Sequence, residues 1–132
     1  MYGAAEPKAR RLTGSDWWKN EDYLFGFDLF NAGYFWEAHT CWDRLWYLPG
    51  TEESVRLLLR GLIQLAAARL KLAQNVPEGN RKLVARARRA FEELRKLFGG
   101  ESYLGVHLDK ALLASELRVD RPRAILPKKR SR

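Results

Sequence analysis

Apolar residues recur at helical spacing along most of the 132-residue chain, in blocks separated by Gly, Pro and Asn. The first block, about residues 20–31, sets Leu24, Phe27 and Phe30 on one side, with Glu21 and Asp22 at the positive N-terminal end. Asn31-Ala32-Gly33 breaks it, and Gly33 can adopt the left-handed conformation that closes a helix. In the second block, about 34–47, Leu45, Ala38, Trp42, Phe35 and Trp46 share one broad face at 100° per residue. Pro49-Gly50 ends it. Thr51 can cap a third helix, with Glu52 and Glu53 in its first turn. From 57 to 72 this helix is apolar almost all round, and only Arg56, Arg60 and Gln64 form a polar stripe, four apart.

Asn75-Val76-Pro77 stops the third helix. A fourth, about 78–98, lines Leu83, Ala87, Ala90, Phe91, Leu94 and Phe98 along one side, and Gly99-Gly100 closes it. A short last helix falls around 108–117, and no strand pattern of convincing length appears. The pattern predicts an all-α fold, a single compact bundle of about four to five antiparallel helices. It places a flexible N-terminal arm at 1–16, the helical domain at 17–117, and a basic disordered C-terminal tail at 118–132.

Composition fits that picture: 46% hydrophobic and 30% charged residues are a globular balance rather than a disordered one. The net charge of +8 hints at nucleic acid until it is divided along the chain. Residues 118–132 hold seven basic side chains against Asp120 alone, while 17–117 is nearly neutral. The basic character therefore belongs to the tail, where weak polyanion contact is expected, and no basic face marks the domain. Arg56, Arg60, Gln64 and Arg69 interrupt the longest apolar run, so no membrane span is expected. The single cysteine, Cys41, cannot form an intramolecular disulfide, which favours a cytoplasmic setting.

Candidate chemistry concentrates on the second helix. His39 and Asp43 are four apart and share a face, whereas Glu37 lies about 200° from His39. Glu37 and His39 therefore cannot chelate one ion from that helix, and no metal and no cofactor are expected. Arg60 and Gln64 need partners within an apolar helix, and His39, Asp43 and Glu37 can supply them in a polar network joining the second and third helices. Trp42 and Trp46 fall on the core side, while Trp17 and Trp18 are expected to cover a core or a partner surface. Cys41 sits about 160° from His39, which argues against a Cys–His pair.

Two stretches carry a family resemblance. Phe30-Asn31-Ala32-Gly33-Tyr34-Phe35-Trp36-Glu37-Ala38-His39, continuing through Trp42-Asp43 to Trp46, is one. Leu59-Arg60-Gly61-Leu62-Ile63-Gln64-Leu65-Ala66-Ala67-Ala68 is the other. Together they resemble the signature of a prokaryotic family known as domain of unknown function 309, over about residues 22–98. The resemblance implies a compact bundle of antiparallel helices and no particular reaction, cofactor or partner. It maps the family's polar positions onto Asn31, Glu37, His39, Asp43 and Gln64. The chain departs at Thr40, where an acidic residue is expected, and at Asp43, where a glutamate is usual.

The function expected is a binding or interaction module with a polar-floored cavity between the second and third helices. Its candidate residues are Asn31, Glu37, His39, Asp43, Trp46, Arg60 and Gln64. The occupant would be a small molecule or a protein, and a homo-oligomer is left open. The alternative is a metal-assisted or acid–base hydrolase using His39 and Asp43. A third reading is a nucleic-acid accessory protein acting through its tail.

Overall fold

The computed structural model describes residues 9–122. A 3-10 turn at Trp17–Lys19 leads into α1 (Glu21–Asn31), α2 (Phe35–Trp46), α3 (Glu53–Ala73) and α4 (Pro77–Phe98). A small antiparallel hairpin follows, β1 (Ser102–Tyr103) and β2 (Val106–His107), and then α5 (Leu108–Leu113). Each long helix packs chiefly on its neighbour in sequence, giving the expected all-α bundle. No described helix is long and apolar enough to cross a membrane.

The helix ends follow local chemistry. Asn20 caps α1 by accepting from the Tyr23 amide at 3.0 Å, and its own amide donates to the Arg10 carbonyl at 2.8 Å. Gly33 adopts a φ of 90° at the α1–α2 turn, and Gly99 one of 77° after α4. Pro77 opens α4, where the missing N–H has no intrahelical partner to lose. Thr51 is a correction. It is buried and donates its hydroxyl back to the Leu48 carbonyl at 2.8 Å, closing the preceding turn, while Glu52 takes the cap position of α3.

The core is aromatic around α1 and α2, and aliphatic along α3. Trp17, Tyr23, Phe27 and Trp42 form a chain of edge-on contacts with centroids 6.1, 5.1 and 5.1 Å apart. Leu57, Leu58, Leu59, Leu62 and Ala66 of α3 are all buried, as its apolar character requires. Trp17 thus covers the core, one of the two roles expected of it.

Two peripheral segments differ from the sequence reading. Leu12 is buried, so the stretch read as the end of a loose arm packs on the bundle. The hairpin escapes periodicity because each strand is only two residues long. Its turn has positive φ at both central residues, Leu104 (46°) and Gly105 (82°), as a two-residue hairpin demands. Leu104 holds that conformation through burial of its side chain and a 2.8 Å bond from the Tyr23 hydroxyl to its carbonyl. Burial also raises the Tyr23 hydroxyl well above its ordinary pKa of 10.0, so it stays a donor. The basic run after Pro122 lies outside the described residues.

Candidate functional site

Trp36, His39, Asp43 and Trp46 are spaced three, four and three apart, which confines them to one sector of α2 about 80° wide. Ala38, Cys41, Trp42 and Leu45 fill the opposite side and are buried. Trp36 is 59% exposed, and its ring lies nearly parallel to the His39 imidazole, 7° apart with centroids at 5.2 Å. At the other end of the stripe two arginines of α3 gather over Trp46. Their guanidinium carbons lie 5.0 Å (Arg56) and 5.9 Å (Arg60) from the ring centroid. Arg56 also donates to the carbonyls of Trp46 (2.6 Å) and Leu48 (3.2 Å), two acceptors left over at the end of α2.

The expected hydrogen-bonded network is not formed. Among the described residues no hydrogen bond joins His39, Asp43, Gln64, Arg60 or Glu37, and His39 Nδ1 is buried without a partner. Trp46 Nε1 is buried and unpartnered as well. The physical reason is competition from aromatic faces. Arg60 sits over the Trp46 ring rather than on a carboxylate, and the Trp36 ring stacks on the imidazole. Glu37 is exposed on the far flank, as its 200° separation from His39 dictates. Asp43 and Gln64 are half-buried. Three clefts lie beside His107, beside Phe30 and Arg69, and beside Asp22 and Phe25, and none of them is lined by a candidate residue.

Asn31 stands apart from the stripe. Its amide nitrogen donates to the Leu117 carbonyl and its oxygen accepts from the Leu117 amide, both at 2.8 Å. It clamps the segment after α5 onto α1. Asn31→Ala is expected to cost about 1–3 kcal/mol, because two backbone groups lose their partners. Hydrogen exchange read by mass spectrometry should then show faster exchange at Leu117. Unchanged protection there would contradict the clamp.

Cys41 is no nucleophile at neutral pH. Burial and the nearby Asp22 carboxylate, partly offset by Arg44, push its thiol from 9.0 to about 11. The thiol donates to the Asp22 carbonyl at 3.1 Å. A raised folded-state pKa means that the native chain keeps a proton which the unfolded chain releases. Stability from this group is full below pH 9 and falls as pH rises from 9 to about 11. Urea titrations across that window should show a shallower decline in Cys41→Ala than in the wild type. Among the described residues, no three His, Cys, Asp or Glu side chains are grouped to hold a metal ion.

Three contributors escape the sequence reading as site residues. Trp36 carries a signal in its spacing of three before His39, and Arg56 in its place four before Arg60. Arg44 carries none.

Fold and stripe together define a small helical bundle with an aromatic and arginine-edged face on its second and third helices. The model of the family Domain of unknown function (DUF309) matches residues 23–83, from α1 into the start of α4, and the chain resembles that family over this span. The matched segment contains every residue of the stripe and both arginines. No curated protein sequence matches the chain.

Proposed function

We propose that the chain is a binding or interaction module working through the outward face of α2 and the adjoining edge of α3. The polar floor expected of a cavity is read here as part of an open surface. One observation carries the reading. Trp36 stands exposed at one end of a stripe whose other end holds Arg60, which lies over a ring and forms no ion pair among the described residues. A large exposed aromatic and an arginine over a ring are the side chains that most often anchor a partner. The buried, unpartnered ring nitrogens of His39 and Trp46 add polar groups in need of a partner along the same line.

Native mass spectrometry of freshly purified protein tests the reading. The wild type should carry additional mass, either a ligand or another chain. A Trp36→Ala, Arg60→Ala double variant should lose it while unfolding at nearly the same temperature, since both side chains are exposed. A bare monomer in both would contradict the proposal.

A further inference from the structure

The outward side of α2 is matched between its two halves. From its start come an aromatic (Trp36), an acid (Glu37) and a histidine (His39). From its end come an aromatic (Trp46), a base (Arg44) and an acid (Asp43). Measured inward from Trp36 and from Trp46, His39 and Asp43 stand at the same spacing of three. Glu37 and Arg44 lie on one flank of the helix and are opposite in sign. Exposed Tyr34 and Tyr47 flank the helix at its two ends.

We infer that this face binds a second copy of the same chain, with the two α2 helices antiparallel about a two-fold axis at the level of Cys41. The inference rests on the binding reading of the α2 face and names its partner. A two-fold interface applies one patch to itself, so a patch can be self-complementary only if its halves are matched. Antiparallel pairing does this. Trp36 meets Trp46 of the second copy, whose ring is already edged by Arg56 and Arg60. Glu37, which forms no ion pair among the described residues, comes alongside Arg44 of the second copy. In the single chain, Arg44 reaches only Asp22, at 4.0 Å. His39 meets Asp43 of the second copy. Parallel pairing would instead set like beside like, and like charges across an interface are costly. The contact is about one helix long, roughly 18 Å, which puts it at the small end of specific interfaces. The dimer is therefore weak and sensitive to concentration.

Analytical ultracentrifugation of the full chain, from low micromolar to near-millimolar, reads the assembly directly. The wild type should pass from monomer to dimer across that range. Glu37→Arg and Arg44→Glu each place like charges across the axis, and each should weaken dimerisation at least tenfold. Mixing the two variants should restore a mixed dimer, because chains with opposite charges at these two positions then attract one another. Trp36→Ala, which alters no charge, should also weaken the dimer, and circular dichroism confirms that all variants are folded. A wild type that stays monomeric at the highest concentration overturns the inference. If that monomer still carries a ligand mass that Trp36→Ala abolishes, the binding reading survives. A dimer indifferent to all three substitutions, or variants that fail to rescue each other, also overturns it.

Discussion

Trp42→Ala is expected to lower the unfolding free energy by about 3–5 kcal/mol, a large share of what a domain this size commands. The ring is fully buried where α1 crosses α2, edge-on to Phe27 at 5.1 Å and tilted against Phe30 at 6.4 Å. Its Nε1 donates to the Tyr23 carbonyl at 3.1 Å, so truncation removes packing and leaves an acceptor unpaired. Nothing nearby is free to fill the gap, because Phe27, Phe30 and Leu45 are themselves buried. Urea unfolding followed by near-ultraviolet dichroism measures the loss. A change under about 1 kcal/mol would mean that α1 and α2 do not meet on this ring.

Gly61→Ala should be the second large effect, and its sign runs against helix propensity. In an open helix, alanine is favoured over glycine by about 1 kcal/mol. At Gly61 an added Cβ would lie 2.1 Å from Cε1 of Phe91, a buried ring on α4 that has no room to retreat. A loss of about 1–3 kcal/mol is expected, with part of it restored by Phe91→Leu. Gly79→Ala supplies the contrast. There the nearest atoms are 3.2 Å away on the flexible Lys71 side chain, so the substitution should be neutral or mildly stabilising. Equal effects at the two glycines would argue against the close approach of α3 and α4.

Much of this architecture is legible in the sequence because each long helix carries its own punctuation. Gly33, Pro77 and Gly99 mark ends that the structure places within a residue or two of expectation. Periodicity alone assigns Trp42 to the core, and it is there. What periodicity does not show depends on distant partners. The hairpin needs Tyr23 to bind Leu104 across 81 residues of chain, and Asn31 needs Leu117, 86 residues away. The site is half legible for a related reason. Spacing groups His39 with Asp43 and sets Glu37 apart. It treats polar side chains as hydrogen-bonding partners, however, and gives no hint that aromatic faces take up Arg60 and His39 instead.

Whether another molecule covers the α2 face in use is tested most directly by hydroxyl-radical footprinting of the protein inside cells and in dilute purified form. Trp36, Phe25 and Leu113 are 59%, 53% and 84% exposed on different parts of the surface, so the latter two serve as internal references. Trp36 is expected to be protected in cells relative to dilute protein, while Phe25 and Leu113 react alike in both. Equal oxidation of Trp36 in the two settings would contradict a covered face.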